Sequence, residues 1–281
     1  MNRRELDKGL KLDLGGSLTY GRYLRLDRLL SAQEPRSEPP HHDEQLFIIQ
    51  HQVAELWMKL AIHELQGAAR CVASDRLRPA FKGLARVKQI QEQLIAQWAV
   101  LETLTPYEYH QFRPVLDNAS GFQSYQYRAL EFLLNNKDEA LLAAHRHDPS
   151  VHAWLRGILR APSLYDEFLR YLARRGYPVP VERVERDFAE PYEPHSGVTT
   201  VLRSIYEDAE AHFDEYEMCE KLVDVEVNLQ RWRFRHLKTV ERIIGHKPGT
   251  GGSAGVPFLQ RALELRCFPE LIEVRTEVGA A

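Results

Sequence analysis

The amino-acid sequence predicts an all-α protein, a helical bundle formed by one domain that spans residues 1–281. Apolar residues recur at spacings of three and four in several long segments, and no segment alternates as a half-buried strand does. Clusters of proline and glycine mark the breaks between these segments. The chain length permits one large domain or two small ones, and the lack of a repeat or low-complexity tract favours one.

The bulk composition argues against several classes of protein. A formal net charge of -3 gives no electrostatic reason to expect a nucleic acid or an anionic membrane as a partner. No apolar run approaches the roughly 18 residues of a membrane span, and the start, MNRRELDKGLKLDLGG, lacks the apolar core of a secretory signal. The three cysteines are far apart, which argues against a disulfide framework. We therefore expect a cytoplasmic protein.

The N-terminal part predicts a small arm followed by a long helix. The arm comprises about residues 1–33 and ends in a short helix, LTYGRYLRLDRLLSAQ. The prolines of EPRSEPPHH form a loop, and we expect Asp43 to cap the helix that runs through DEQLFIIQHQVAELWMKLAIHEL. One apolar stripe of this helix is expected to be buried, and it consists of Leu46, Ile49, Val53, Leu56 and Leu60.

A third helix begins near Ser74 and carries a long apolar seam. The seam alternates by three and four, so it should pack against other helices. Thr105, Pro106 and Glu108 then form a capping box with proline at the first helical position, which predicts a new helix. Pro114 and LDNASG interrupt the period before FQSYQYRALEFLL resumes it. The seam residues are Leu77, Ala80, Leu84, Val87, Gln91, Leu94, Trp98 and Leu101.

The second half of the chain begins less regularly. Residues 135–194 hold short amphipathic pieces such as DEALLAAH and APSLYDEFLRYLARRG, separated by prolines. We expect small helices appended to the bundle there. A helical pattern returns over residues 199–245, and its length predicts a kink or a break.

The segment DVEVNLQRWRFRHLKTVERIIGHKPGTGGSAG, residues 224–255, places a histidine on an apolar stripe. Leu229, Trp232, His236, Val240 and Ile243 recur at helical spacing, so the imidazole should point inward and needs a partner. Two explanations stay open at this level: a core histidine with a hydrogen bond, or a metal ligand. The polar flanks, expected to be solvated or lightly paired, are Arg231, Arg233, Arg235, Lys238, Glu241 and Arg242.

Residues 245–255, called the glycine loop below, contain five glycines. Such a backbone turns tightly or approaches a bulky ligand closely, which favours a cofactor. The loop follows a helix rather than a strand and fits neither the Walker pattern nor G-x-G-x-x-G in register. Phosphate binding is therefore a minor possibility.

Two further places could carry chemistry. His51 follows Phe47 by four residues on a mostly apolar helix, and it is either a core or interface histidine or a functional group. Tyr109 and Arg113 share a helix face just before the break. A buried arginine needs an anion, which either the protein or a ligand can supply.

Other catalytic patterns are weaker or absent. His41-x-Asp43 and His42-x-Glu44 could contribute to a non-haem iron site, but capping of the following helix explains them better. The sequence has no H-E-x-x-H or G-x-S-x-G. It also has no C-x-x-C-H, so a haem would have to be bound non-covalently.

Five motifs together resemble the tryptophan 2,3-dioxygenase family of helical haem enzymes. In chain order they are LTYGRYL, HHDEQLFIIQHQVAELWMKL, TPYEYHQFRPVLDNASGFQSYQYR, RWRFRHLKTVERIIG and GTGGSAGVPFL. They span about residues 18–265, nearly the whole chain. Two departures are modest: GVPFL stands where family members more often have an aromatic residue before leucine, and residues 137–192 carry few family signatures.

The resemblance implies a role for each matching residue around a haem. His236 matches the axial ligand of the haem iron. His51 matches the catalytic histidine near the indole N–H, and we expect it to orient the substrate first, whether or not it also removes a proton. Phe47 matches the aromatic residue beside the indole. Ser120 and Gly121 match backbone that lies against the haem.

The resemblance also implies how the amino-acid end of the substrate is held. Arg113 and Thr250 match the groups that bind the carboxylate and the ammonium, and Tyr109 lines the same pocket. The family forms homotetramers in which an N-terminal element reaches into a neighbouring subunit's pocket. The residues that match this element are Tyr20, Tyr23 and Leu24.

The implied reaction joins O2 to L-tryptophan across the indole C2–C3 bond and gives N-formyl-L-kynurenine, the first step of tryptophan catabolism. The implied cofactor is haem b, one per subunit, with ferrous iron in the active state. Two rival functions stay open: a related haem enzyme that acts on another indole or hydroxylates it, and a helical interaction protein with or without haem. Arg113, Thr250 and His51 together favour an amino-acid substrate.

Overall fold

The computed structural model describes residue 2 and residues 4–279, and within them it contains helices and no strand. Three short 3₁₀ helices comprise Arg113–Leu116, Gly121–Gln123 and Glu139–His145. The α-helices in chain order are α1 (Tyr20–Leu24), α2 (Leu26–Leu29), α3 (His42–Ala73), α4 (Leu77–Ala96), α5 (Trp98–Leu101), α6 (Pro106–Phe112), α7 (Tyr125–Leu133), α8 (Pro149–Arg160), α9 (Leu164–Arg174), α10 (Val181–Val184), α11 (Ser196–Glu207), α12 (Phe213–Ile244), α13 (Val256–Ala262) and α14 (Pro269–Glu277). The all-α prediction is confirmed.

The core is built on helices α3, α4 and α12, with α4 packed against both of the others. The predicted seam of α4 and α5 is buried along its whole length, from Leu77 to Leu101. Gln91, the polar member of that seam, donates a hydrogen bond of 3.0 Å from Nε2 to the backbone carbonyl of Val225 on α12. The seam therefore faces two long helices, as its three-and-four spacing predicts.

The prediction that this apolar stripe of α3 is buried is wrong, because the stripe faces outward. Ile49, Val53, Leu56 and Leu60 are 42%, 36%, 49% and 37% exposed. Another face of α3 enters the core, with Met58, Ala61, Ile62 and Leu65. Because α3 is apolar on more than one face, periodicity cannot say which face the rest of the chain covers.

The helix boundaries confirm some predictions and correct others. Thr105 and Glu108 form the expected capping box of α6, and the expected break after residue 199 lies between α11 and α12. The prediction that Asp43 caps α3 is wrong. The cap is His41, whose Nδ1 accepts a hydrogen bond from the Asp43 backbone N–H, and the helix begins one residue later.

The helices of residues 135–194 also contribute to the main core. In α9, Tyr165, Phe168, Leu169 and Leu172 are fully buried, and the helix packs against α3.

The N-terminal arm, in contrast, is largely exposed, and its helix is divided into α1 and α2 at Arg25, which has a positive φ of 53°. In the described part of the chain, no helix is both long and apolar enough to cross a membrane.

Candidate active site

A cavity of about 920 Å³ lies between α3, α7, α12, α13 and the glycine loop. This volume is near the upper end of the range of about 300–1,000 Å³ that is usual for small-molecule and cofactor sites. The cavity wall also includes side chains of α5 and α6 and residues of the helix break that follows α6. The cavity can therefore hold a bulky ligand.

His236 projects from α12 into the wall of this cavity. Its ring stacks on Trp98 with centroids 4.9 Å apart and an interplanar angle of 10°, and Trp232 lies against it at 5.6 Å. Burial, and secondarily the positive charge of a protonated His51, lowers the pKa of His236 to about 4. The ring is therefore neutral at physiological pH and has a lone pair to offer, which a metal ligand requires. Among the described residues, neither ring nitrogen of His236 has a hydrogen-bond partner.

His51 lies in the same cavity on α3, one turn after Phe47. Its Nδ1 is 2.7 Å from the backbone carbonyl oxygen of Phe47. A carbonyl only accepts hydrogen bonds, so Nδ1 carries the proton and Nε2 keeps a free lone pair. Burial lowers the pKa of His51, against the opposing effects of the Phe47 carbonyl and the Glu55 charge. A neutral imidazole with Nε2 as the acceptor results.

An aromatic cluster adjoins His51. The Phe47 ring lies 4.2 Å from that of His51, 5.8 Å from Tyr109 and 5.6 Å from Phe112, measured between centroids. Burial raises the pKa of Tyr109, and the charge of Arg113 acts in the opposite direction. Phe47 and Tyr109 of this cluster line the cavity with Phe112 packed behind them, and their aromatic faces suit a flat aromatic ligand.

The glycine loop is bound to the helix break that follows α6. Arg113 donates from Nη2 to the Pro248 carbonyl oxygen at 2.7 Å, and Thr250 donates from Oγ1 to the Ala119 carbonyl oxygen at 2.5 Å. A Cβ atom on Gly251 would stand 2.7 Å from Cβ of Ser120, so only glycine permits this approach. The loop therefore lies over the cavity, in contact with the backbone around Ser120.

The structure brings most of the predicted site residues together and leaves four apart. The cavity wall contains Phe47, His51, Tyr109, Ser120, Gly121, His236 and Thr250. Arg113 lies beside it, in a surface recess that shares Tyr109 with the cavity. Tyr20, Tyr23 and Leu24 lie outside the cavity of their own chain and are 75%, 72% and 40% exposed.

Sequence reasoning missed a buried ionic group in the wall of the cavity, and its assignment of Arg233 to a polar flank is wrong. Arg233 is 3% exposed and pairs with Glu131 of α7 at 2.8 Å. A signal was available, because Arg233 stands four residues from Leu229 and four from Leu237, both buried. A charged residue in the middle of an apolar row indicates an internal ion pair.

The residues fit a haem better than they fit a non-haem metal. His236 offers a neutral lone pair in a large cavity, and the indole N–H groups of Trp98 and Trp232 beside it are buried without a partner in the described chain. Glu44, a carboxylate of the candidate non-haem iron site, instead accepts hydrogen bonds from the backbone N–H groups of Arg36 and Ser37. Among the described residues no three histidine, cysteine or carboxylate side chains are grouped so that they could hold a metal ion.

These features define a class of protein: an all-helical protein with a large cavity whose wall has two neutral imidazoles and aromatic rings, which suit a bulky cofactor and a flat ligand. A family model described as tryptophan 2,3-dioxygenase matches residues 4–205 and 195–278. The chain belongs to the tryptophan 2,3-dioxygenase family. The family expected from the five motifs is thereby confirmed.

Curated relatives match the chain over nearly its full length. A tryptophan 2,3-dioxygenase of Myxococcus xanthus is 62% identical over 278 residues, which cover 99% of this chain and 96% of the relative. The tryptophan 2,3-dioxygenase of Serratia proteamaculans is 57% identical and aligned over 100% of both chains. That of Kineococcus radiotolerans is also 57% identical, over 99% of this chain and 98% of its own.

Proposed function

We propose that this protein is a haem-dependent dioxygenase that converts L-tryptophan and O2 to N-formyl-L-kynurenine. Both oxygen atoms enter the product, and the indole C2–C3 bond breaks. The observation that carries the proposal is the pair of neutral imidazoles, His236 on α12 and His51 on α3, in the wall of one cavity. One is suited to hold iron and the other to accept a hydrogen bond from the substrate.

The cofactor in this proposal is haem b, one per subunit and ferrous in the active state, and His236 would hold its iron. When bound, the haem supplies the redox chemistry with O2. Trp98 stacks on the imidazole and fixes the plane of the ring, and the backbone of Ser120 and Gly121 forms part of the surrounding wall. The neutral state of His236 supports this role, because only the unprotonated nitrogen can bind iron.

Arg113 and Thr250 are proposed to bind the amino-acid end of the substrate. Both side chains now donate to backbone carbonyls. A carboxylate is a stronger acceptor for a guanidinium than a neutral carbonyl, so Arg113 gains from exchanging Pro248 for the substrate. Thr250 can turn its hydroxyl oxygen towards an ammonium group. Tyr109 completes the wall beside Arg113.

Phe47 and His51 are proposed to orient the indole. The ring of Phe47 offers an apolar face next to the imidazole. Because Nδ1 of His51 donates to the Phe47 carbonyl, Nε2 is the atom that accepts the indole N–H. This hydrogen bond fixes the angle of the ring before reaction, which is the positioning that the chemistry needs.

The assembly is proposed to be a cytoplasmic homotetramer in which the N-terminal arm completes a neighbouring subunit's site. Tyr20, Tyr23 and Leu24 are exposed on their own chain. The apolar face of α3 that carries Ile49 and Leu56 is also exposed. A contiguous apolar face of this kind supports a contact with another copy of the chain.

The experiment that tests the reaction uses oxygen isotopes. The purified, reduced holoprotein is incubated with L-tryptophan under ¹⁸O2, and the product is examined by mass spectrometry. We expect N-formylkynurenine that carries two ¹⁸O atoms. A product with one labelled atom would indicate hydroxylation, and the absence of any product would reject the enzymatic function.

A further inference from the structure

Arg233 is a buried arginine with an unusual number of partners. Its Nε donates to the Tyr127 hydroxyl at 3.0 Å, and its Nη2 pairs with the Glu131 carboxylate at 2.8 Å, both on α7. Its Nη1 donates to the backbone carbonyl oxygens of Ala262 at 3.0 Å and Leu265 at 3.4 Å. One guanidinium on α12 therefore fastens two other parts of the chain, α7 and the end of α13.

The bond to Ala262 matters because of what α13 carries. The glycine loop, with Thr250, begins directly after α12 and ends directly before α13. The first end of the loop continues from α12, its middle is held by the hydrogen bonds of Arg113 and Thr250, and its second end runs into α13, whose position therefore sets that end. Arg233 stands one turn before His236 on α12 and holds the C-terminal end of α13, so it links the helix that follows the loop to the helix that offers the imidazole.

The ion pair between Arg233 and Glu131, next to this contact, is buried. Glu131 is 4% exposed and also pairs with Arg128, so one carboxylate is shared by two arginines. Burial alone would lower the pKa of Arg233, but the Glu131 carboxylate and the hydrogen bond to the Tyr127 hydroxyl outweigh it and raise that pKa, so the guanidinium stays protonated. A planar guanidinium with fixed donors sets the distance between helices more tightly than an apolar side chain could.

We propose that Arg233 is a positioning residue for substrate binding: it holds α13, and through it the glycine loop, in register with the helix that bears His236. The inference rests on the proposed function, because it assigns the loop to the substrate's ammonium group through Thr250. It acts on binding rather than on the chemical step, because the loop that it positions carries the group assigned to the substrate's ammonium.

Replacing the guanidinium should loosen α13 without releasing it. Leu265 also accepts a hydrogen bond of 2.6 Å from Nε2 of Gln230, and this bond stays in an Arg233→Lys variant. Lysine keeps the charge beside Glu131, but its donors sit on a single nitrogen, which cannot occupy the three positions from which Nε, Nη1 and Nη2 of Arg233 reach Tyr127, Ala262 and Glu131. The loop then has to be ordered by the substrate at a cost in binding energy.

The test compares R233K with R231K on the same helix, because Arg231 is exposed and pairs with Glu92 at the surface. For R233K we expect retained haem, a KM for L-tryptophan raised about tenfold and a kcat within about twofold of the wild type. Hydrogen exchange of residues 245–262 should be faster in R233K. R231K should match the wild type in every measurement.

Three outcomes would overturn the proposal. A KM unchanged in R233K, or a fall in kcat alone, would show that Arg233 does not act on substrate binding. If R233K does not fold, R233Q is the second variant, and failure of both to yield folded holoprotein would show that Arg233 holds the whole fold rather than the loop. An inactive wild type together with an inactive R231K would instead refute the proposed function.

Discussion

Nδ1 of His51 lies 2.7 Å from the backbone carbonyl oxygen of Phe47, one helical turn earlier on α3. This contact fixes the tautomer of the imidazole and leaves Nε2 free to accept. The same turn of helix thus provides both the aromatic face and the acceptor that an indole ring needs. In the proposed function, His51 binds the substrate and His236 binds the iron.

Replacing His51 with alanine should leave haem binding intact and slow turnover. We expect kcat/KM to fall by at least about tenfold, because the variant loses the acceptor that orients the indole and any help with its proton. Haem content from the absorption spectrum and the initial rate with L-tryptophan measure the two effects. If H51A instead lost its haem, the roles assigned to the two histidines would be reversed.

Arg113→Lys should weaken the binding of substrates that carry a carboxylate. A lysine cannot form the two parallel hydrogen bonds of a guanidinium, so we expect KM for L-tryptophan to rise about tenfold. Tryptamine, which lacks the carboxylate, is the matched control. The wild type should strongly prefer L-tryptophan, and the preference should shrink in R113K. An unchanged preference would show that Arg113 does not bind the carboxylate.

The pH dependence of turnover should reflect His51. Burial lowers the pKa of this imidazole below its ordinary value of 6.5, so the ring is neutral above that pH and gains a proton as the pH falls through the lowered pKa. Protonation removes the Nε2 lone pair. We expect kcat/KM to be level between about pH 7 and 8 and to fall only below about pH 6.5. A decline that begins above that value would contradict this assignment, and H51A should lack the acidic limb.

Leu56→Asp should break the proposed tetramer. Leu56 is 49% exposed on the apolar face of α3, and a carboxylate there would be buried without a partner in an interface between copies. Analytical ultracentrifugation should find a tetramer for the wild type and smaller species for L56D. Arg70→Asp, an exposed change near the end of the same helix, should leave the tetramer intact. A monomeric wild type would refute the assembly.

The sequence predicted the helical architecture well because the apolar spacing of α4, the α6 capping box and the break before α12 are local features. It misjudged α3, whose outer face is apolar as well. Periodicity reveals that a face avoids water, but not whether the chain itself or another copy covers it. The orientation of such a helix depends on contacts between distant segments.

The candidate site was predictable mainly through its motifs. His236 and His51 could be recognised as inward-facing histidines, but the local pattern alone left their roles open. The Trp98 stacking and the Arg233–Glu131 pair depend on contacts between residues far apart in the chain. The bond between Thr250 and Ala119 likewise joins residues 131 positions apart. No local rule supplies such contacts.

The most direct test of the central claim is the absorption spectrum of the purified, reduced protein with and without L-tryptophan, recorded beside that of H236A. We expect the wild type to hold about one haem per subunit, to show a Soret band and to shift that band when L-tryptophan is added. H236A should retain no haem. A wild type that takes up no haem, or an H236A variant that retains as much haem as the wild type, would contradict the claim that His236 is the iron ligand of a tryptophan-binding haem site.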